Sequence, residues 1–165
     1  VGTGLGSGAL DFCDTTGETK TVPLFGEVGW GKTTGGTVAL SDNGEYLAVL
    51  VGGSAERSQA LRPLNTEVWV MLFDKSGNEL WRRKVEQDRY GNIAISQKGE
   101  YVFFKAYGYT EKSPMELRRK GEQAALAGVT LGLYDKEGAG LSFEDPEFSS
   151  FGSFCFSPQA DYVAL

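Results

Sequence analysis

A repeated hairpin constrains the fold of this chain more than any other feature of its sequence. The unit has a short apolar segment, a turn opened by Ser, an acidic residue, a Tyr and a second apolar segment, and it occurs at residues 36–48, 91–103 and 152–164. The Ser residues that open the turns are 55 and 61 residues apart, at positions Ser41, Ser96 and Ser157. A unit that recurs at such spacing indicates a repeat architecture.

A second hairpin alternates with the first. It carries an Asp-x-x-Gly turn at residues 68–81 and 129–141, and a weaker copy lies at residues 8–20. Asp caps such a turn with its side chain, and Gly adopts the positive φ that the turn needs. The Ser-x-x-Gly turns are interpreted in the same way, but the third has Ala160 in place of Gly, which leaves its geometry open. Two alternating hairpins predict a four-stranded antiparallel unit, with strands A to D in chain order.

The two hairpins resemble the repeats of known β-propellers. Ser-x-x-Gly-Glu-Tyr, at Ser41 and Ser96, is similar to the Ser-Pro-Asp-Gly-Lys-Tyr hairpin of WD-repeat-like propellers. The segment from Asp74 to Trp81 resembles the Asp-x-x-Thr-Gly-x-x-x-Trp of quinoprotein-type (PQQ-like) repeats. The Trp-Asp dipeptide of the first family is absent, and the Trp of the second occurs in one repeat. The resemblance is therefore to propeller blades in general, and it implies sheets of four strands arranged around an axis.

We predict an all-β fold of four-stranded antiparallel β-propeller blades, about three blade equivalents in all. The segments are a half blade at 8–25, blades at 36–86 and 91–144, and a half blade at 152–165. Closed propellers usually have about four to eight blades. Either the chain is a piece of a longer propeller, which we favour because terminal repeats are otherwise modified into caps, or copies associate as a homo-oligomer and complete the ring. The expected partner is thus a protein, the remaining blades or a second copy.

Composition disfavours several classes of partner. The net charge is −6 and the pI is about 4.8, which disfavours nucleic acid and anionic membrane surfaces because both are bound largely through cationic side chains. No run of 18 apolar residues occurs, so no membrane insertion is predicted. No signal peptide is visible. The family resemblance slightly favours an extracytoplasmic location, and the sequence itself does not indicate a compartment.

The chain contains no histidine, and this excludes several catalytic machineries. Neither a Ser-His-Asp triad nor a His zinc site can form, and the two cysteines cannot make a Cys₄ site. We therefore interpret the repeated Ser residues as turn caps, not nucleophiles. Cys13 and Cys155 are expected to be small buried apolar residues. No catalytic residue, metal site or cofactor is predicted.

Residues 26–33 match the Gly-x-x-x-x-Gly-Lys-Thr pattern of phosphate-binding loops. That mechanism requires a helix after the loop, whereas a β-branched strand follows here. A Gly-rich surface loop would produce the same residue pattern by chance. We predict no nucleotide binding at Lys32.

One helix is expected at about residues 114–126. Ser113-Pro114-Met115-Glu116 is a capping box with Pro at the first helical position, and Gly128 could end the helix. Acidic and basic residues are interleaved along it, which is typical of a solvated helix. The alternative is a docking helix or lid.

The connections between hairpins are longer and more variable than the turns within them. In an up-and-down blade they lie together at one end, and we expect the loops at 26–36, 52–66, 86–91, 107–128 and 144–152 to form one face. Loops on a rigid scaffold commonly carry binding residues. The candidates on this long-loop face are Trp30, Lys32, Tyr90, Tyr107, Tyr109, Arg118 and Phe151. The alternative for the aromatic residues is packing at blade edges.

These observations favour a non-catalytic β-propeller that acts as a binding or assembly module through the long-loop face. The alternative is a fragment of a propeller enzyme, such as a quinoprotein-like oxidoreductase, whose site is built by blades outside this chain. Whether the chain is an enzyme stays open, because fold analogy does not decide activity. Absent histidine and metal-ligand clusters favour the first function.

Overall fold

The computed structural model describes residues 8–13, 16–24, 32–54, 66–87, 89–109, 126–145 and 154–164. Within these residues all regular structure is β-strand. The twelve strands are β1 (Ala9–Cys13), β2 (Thr19–Pro23), β3 (Lys32–Leu40), β4 (Tyr46–Ser54), β5 (Thr66–Asp74), β6 (Glu79–Val85), β7 (Arg89–Ile95), β8 (Tyr101–Tyr109), β9 (Leu126–Asp135), β10 (Gly140–Asp145), β11 (Cys155–Phe156) and β12 (Val163–Ala164).

The strands form four antiparallel sheets in chain order. The sheet β3-β4-β5-β6 is blade 2, and the sheet β7-β8-β9-β10 is blade 3. The pair β1-β2 is half blade 1, and the pair β11-β12 is half blade 4. Each four-stranded sheet is a meander in which sequential strands are neighbours. The predicted all-β fold of four-stranded antiparallel propeller blades is confirmed.

The short turns follow the predicted chemistry. The Ser41 hydroxyl accepts a hydrogen bond from the backbone N–H of Tyr46 at 3.0 Å, and Ser96 does the same for Tyr101 at 3.0 Å. The Asp74 carboxylate accepts from the N–H groups of Ser76 and Asn78, both at 2.9 Å. These bonds satisfy backbone donors that the hairpin leaves unpaired.

The fourth residue of each turn adopts a positive φ. Gly44 and Gly99 have φ values of 70° and 79°, and Gly77 and Gly138 have values of 73° and 78°. Ala160 adopts the same conformation with φ 61°, and its N–H donates to the Ser157 carbonyl at 2.9 Å. The third Ser turn therefore closes in the same way, although Ala is strained in this region.

Successive sheets pack face to face. We call the face that meets the preceding sheet in the chain the back face, and the opposite face the front. Between half blade 1 and blade 2, the buried residues are Leu10, Leu24, Leu47, Val49, Val51, Met71 and Phe73. Between blades 2 and 3, they are Ala48, Leu50, Val68, Val70, Leu72, Trp81, Val85, Val102, Phe104 and Ala106. Phe103, Tyr107, Val129 and Leu131 pack against half blade 4.

The A strands approach one another most closely along the stack. Strand β7 lies against β3 and β4 of the preceding blade. The Thr37 hydroxyl on β3 donates to the Gly91 carbonyl on β7 at 3.2 Å. Farther out, β6 and β10 flank a cleft of about 140 Å³ lined by Lys84, Glu86, Ser142 and Glu144 among others. Sheets that converge at their A strands and separate at their D strands have the wedge arrangement of propeller blades.

The strands are longer than predicted at the long-loop end. Strand β3 begins at Lys32 rather than Thr37, and β4 continues to Ser54 rather than ending at Val51. Gly35 and Gly36 pair with Gly52 and Val51, across a bulge after Thr33. The sequence pattern missed this extension because Gly has little intrinsic strand preference and is held here by its pairing partners.

The expected helix lies mostly outside the described residues. Positions 110–125 are not described, whereas Leu126 and Gly128, taken as the end of the helix and its stop signal, belong to β9. Gly128 pairs with Gly108 of β8. The predicted C-terminal boundary of the helix is thus wrong, because strand pairing with β8 continues through these residues.

Candidate functional site

The candidate residues of the long-loop face fall into two groups. Trp30, Arg118 and Phe151 lie outside the described residues. Lys32, Tyr90, Tyr107 and Tyr109 were expected in loops but lie in strands β3, β7 and β8. The loop boundaries predicted at 26–36, 86–91 and 107–128 are wrong at these positions, because the strands extend into them.

Tyr90 and Tyr107 lie on opposite faces of blade 3. Tyr90 is half-buried on the back face, and a Cβ on Gly35 of blade 2 would be 2.2 Å from its hydroxyl oxygen. Tyr107 is 8% exposed on the front face, where it packs with Phe103 and Leu131. The structure does not bring these two residues together. Both pack between blades.

The phosphate-loop match has strand structure where the mechanism needs a helix. Lys32, the lysine of the motif, is the first residue of β3, and its backbone pairs with Ser54 of β4. Residues 25–31 lie outside the described residues. A β-strand directs successive side chains to opposite faces and does not present an array of free N–H groups to a phosphate. Absence of nucleotide binding stays a prediction.

The side chains of the repeated Ser and Asp residues form hydrogen bonds within their own turns. Ser41, Ser96 and Ser157 are 3%, 1% and 5% exposed, and each hydroxyl accepts a backbone hydrogen bond. Burial acts to raise the pKa of Asp74, but hydrogen bonds from Asn78 and Ser76, with attraction to Lys20, outweigh it and hold the pKa below its ordinary value of 3.8. These residues stabilise the hairpins.

The two cysteines differ from the expectation of buried apolar residues. They do not form a disulfide, and Cys13 is half-buried whereas Cys155 is exposed. Phe154 and Phe156, on either side of Cys155, pack against blade 3. Because strand side chains alternate between faces, Cys155 points to the front of half blade 4, which no described residue covers.

Lys105 is a buried cation that the sequence interpretation did not single out. It lies on the front face of β8, is 1% exposed, and occupies the position that Leu50 has in β4. Its Nζ atom is 5.5 Å from the centre of the Tyr107 ring, within the range of a cation–π interaction. Burial lowers the pKa of Lys105 from its ordinary value of 10.5. The signal in the sequence that could have identified this residue is a Lys in the middle of an apolar strand.

The front face of strands β9 and β10 differs from the matching surface of blade 2. In blade 2, Trp81 pairs with Leu72 and is 6% exposed. In blade 3, Leu141 pairs with Leu133 at the matching position and is 60% exposed, and Phe143 is 49% exposed. We call the surface formed by Leu133, Leu141 and Phe143 the open face.

The next blade in the stack explains why the matching surface of blade 2 is covered. The Trp81 indole N–H donates to the Lys136 carbonyl at 3.1 Å, and the Arg83 guanidinium donates to the Gly138 carbonyl at 2.9 Å. Both carbonyls belong to the turn between β9 and β10. Half blade 4 consists of an A–B hairpin, so among the described residues no C–D turn reaches Leu141 and Phe143.

A second cleft lies between successive Ser turns. It measures about 310 Å³ and is lined by Gln97, Lys98, Glu100, Pro158 and Gln159, with Ser96 and Ala160. In the preceding pair of turns, the Tyr46 ring packs so closely on Gly99 that a Cβ there would be 2.1 Å from it. Ala160 carries such a Cβ at the matching position. Its methyl group therefore excludes the equivalent packing of Tyr101, which is 39% exposed.

Neither a metal site nor a membrane span occurs in the described part of the chain. No three His, Cys, Asp or Glu residues in this part are grouped to hold a metal ion. No helix in the same ranges is long and apolar enough to cross a membrane.

The chain matches no protein-family model and no curated protein. It is similar in structure to hydrazine synthase from Kuenenia stuttgartiensis, with a TM-score of 0.56 and 17% sequence identity over 98% of this chain and 44% of that chain. The β-propeller domain of the trilobed protease from Pyrococcus furiosus gives a TM-score of 0.42 and 13% identity over 86% of this chain and 40% of that chain. The chain spans less than half of the length of each of these two matched chains. At such identities the likeness to the first concerns the fold alone.

Proposed function

We propose that this chain is part of a non-catalytic β-propeller and acts as an assembly module, which binds further β-structure on the open face of blade 3. The observation that carries the proposal is the exposure of Leu141 and Phe143, at 60% and 49%, where blade 2 has Trp81 at 6%. A protein partner that covers this face would restore the packing found between blades 2 and 3.

Burial of the open face would stabilise a complex with a partner. Complete burial of a Leu or Phe side chain contributes about 1.5–3 kcal/mol. About half of each side chain is already buried, so covering both would contribute roughly 2–3 kcal/mol at this position. Phe103 and Leu131 lie on the same front face of blade 3 and already pack against half blade 4. A partner on the open face would therefore extend an existing interface.

A non-catalytic role is supported by the absence of histidine and by the use of the repeated Ser hydroxyls as turn caps. Binding through the long-loop face is a separate proposal. Tyr90 and Tyr107 do not support it because both pack between blades. It rests on Trp30, Arg118 and Phe151 in the long connections.

Self-association measured by sedimentation velocity tests the assembly role. We expect the wild-type chain to associate as its concentration rises, and Leu141→Lys to raise the dissociation constant at least about tenfold, which corresponds to about 1.4 kcal/mol. Leu80→Lys is the matched control, because Leu80 is a 46% exposed Leu on the D strand of blade 2 and lies outside the open face. Circular dichroism should show that both variants fold.

Two results would contradict this function. One is a wild-type chain that stays monomeric at every concentration. The other is a Leu80→Lys variant that weakens association as much as Leu141→Lys does, since that would indicate nonspecific contact between exposed apolar residues.

A further inference from the structure

Strands β1 and β2 form the same kind of hairpin as the outer strands of the whole blades. Cys13 pairs with Thr19, as Phe73 pairs with Glu79 and Tyr134 with Gly140. The turn glycine Gly17 has φ 88°, close to 73° and 78° for Gly77 and Gly138. Half blade 1 therefore supplies strands C and D of a blade, and strands A and B of that blade are not among the described residues.

Strands β11 and β12 form the same kind of hairpin as the inner strands. Phe156 pairs with Val163, as Ile95 pairs with Val102 and Leu40 with Leu47. The Ser157 hydroxyl accepts hydrogen bonds from the N–H groups of Asp161 and Tyr162, at 3.0 and 3.3 Å. Half blade 4 therefore supplies strands A and B. Among the described strands, β1 and β12 each pair along one edge, so each presents its other edge to a further strand.

We propose that two copies of the chain associate head to tail, with β1 of one copy paired antiparallel to β12 of the other. The β1-β2 hairpin then completes the blade begun by β11 and β12, and its back face covers the open face of blade 3. This inference rests on the proposed assembly function and names its partner, a second copy of this chain.

The whole blades fix the register of the new strand pair. Leu47 pairs with Phe73 in blade 2, and Val102 pairs with Tyr134 in blade 3. Val163 and Cys13 occupy the matching positions of strands B and C, so they should face each other across the junction. Val163 lies on the back face of the β11-β12 hairpin, and Cys13 lies on the back face of the β1-β2 hairpin. Both side chains would therefore face blade 3 in the completed sheet.

The β1-β2 hairpin is suited to a place between two blades. Its front face already packs on blade 2 of its own copy, where the Phe12 and Phe73 rings have centroids 6.0 Å apart. Its back face carries Thr21, whose hydroxyl donates to Asp11 at 2.6 Å. The back face of β10, which meets blade 2, is also polar and carries Ser142 and Glu144. A polar back face is thus compatible with this kind of contact.

Two copies make a closed ring of ordinary size. Each copy contributes two whole blades and two half blades. The four whole blades of two copies and the two blades completed at the junctions make six. About four to eight blades are usual. The two junctions are identical and related by a two-fold rotation about the ring axis, so the contact closes instead of producing a filament.

Disulfide cross-linking tests the strand pairing. In a Cys155→Ser background, we expect Val163→Cys to form an intermolecular disulfide with Cys13 under mild oxidation, giving a covalent dimer that reductant separates. Adding Cys13→Ser should abolish the dimer. Asp42→Cys, with its cysteine at an exposed turn residue, reports random collisions and should cross-link at least about tenfold less. Light scattering on the wild-type chain should give the mass of two copies.

The outcomes separate this inference from the assembly function. Association that depends on Leu141 but gives no Cys13-dependent cross-link would overturn the strand pairing and leave the assembly function standing. A ladder of covalent species larger than a dimer would overturn the closed ring. A wild-type chain that is monomeric by light scattering overturns both, even if Val163→Cys does not fold.

Discussion

Three turns offer the same backbone position in three environments, and this allows a quantitative test of how the blades pack. Gly44, Gly99 and Ala160 all have φ between 61° and 79°. A Cβ at Gly44 would have no heavy atom within 4 Å, whereas a Cβ at Gly99 would be 2.1 Å from Cδ2 of Tyr46 in the preceding blade. Replacing each Gly by Ala therefore adds the same backbone strain but a different degree of overpacking.

The two effects have separable magnitudes. A non-Gly residue in this region costs about 1–2 kcal/mol, which is the whole effect expected for Gly44→Ala. At Gly99, overpacking against the Tyr46 ring adds about 1–3 kcal/mol. We therefore expect Gly99→Ala to lower the free energy of unfolding by about 2–5 kcal/mol in total. Ala160→Gly removes the strain and should raise that free energy by about 1 kcal/mol.

Urea unfolding of the three variants, at one fixed protein concentration, measures these differences. Concentration is fixed because association also shifts apparent stability. In a Tyr46→Ala background, Gly99→Ala should cost no more than Gly44→Ala does, because the ring it would meet is gone. Equal costs for Gly99→Ala and Gly44→Ala in the wild-type background would refute the close packing of Tyr46 on the next turn.

Three further predictions follow from individual side chains. Trp81→Phe removes the donor to the Lys136 carbonyl and should lower the free energy of unfolding by about 1 kcal/mol in urea titrations; no change would mean that the bond is not formed. Because the folded-state pKa of Asp74 lies below its ordinary value of 3.8, the stabilisation that this carboxylate provides is present above about pH 3.8 and is lost as pH falls through the folded value. Asp74→Asn should flatten that part of the acid-unfolding curve, and an unchanged curve would contradict the assignment. Burial lowers the pKa of Lys105 from its ordinary value of 10.5. Between the folded-state pKa and the unfolded-state pKa, the unfolded chain binds more protons than the folded chain, so the free energy of unfolding should rise with pH up to the unfolded-state pKa. Lys105→Met should abolish that alkaline rise, and its persistence would place the ionisation elsewhere.

The turns and the order of the strands could be predicted from sequence because their causes are local. Ser41 and Asp74 bond to N–H groups within a few residues, and Gly44 and Gly77 adopt positive φ within the same turns. These interactions need only the residues of the hairpin itself. Their repetition was sufficient to predict four-stranded sheets.

The strand ends and the candidate site depend on contacts between distant residues. Strand β3 begins at Lys32 because β4 continues alongside it, and no local preference of the Gly-rich segment indicates this. The burial of Tyr90 and Tyr107 depends on which neighbouring sheet each faces. Leu141 and Trp81 both follow an Asp-x-x-Gly turn, yet Leu141 is exposed and Trp81 is buried. Among the described residues, a C–D turn of a neighbouring blade covers Trp81 alone.

Amide hydrogen exchange in β1 tests whether the half blades complete each other across two copies. Among residues 9–13, we expect the N–H groups that point away from β2 to exchange quickly in dilute solution, where that edge of β1 is open, and to become protected as concentration rises. Leu141→Lys should prevent this gain in protection, and Leu80→Lys should not. Exchange at the same N–H groups that is equally slow at all concentrations, in a chain that stays monomeric, would contradict the pairing of half blades across two copies.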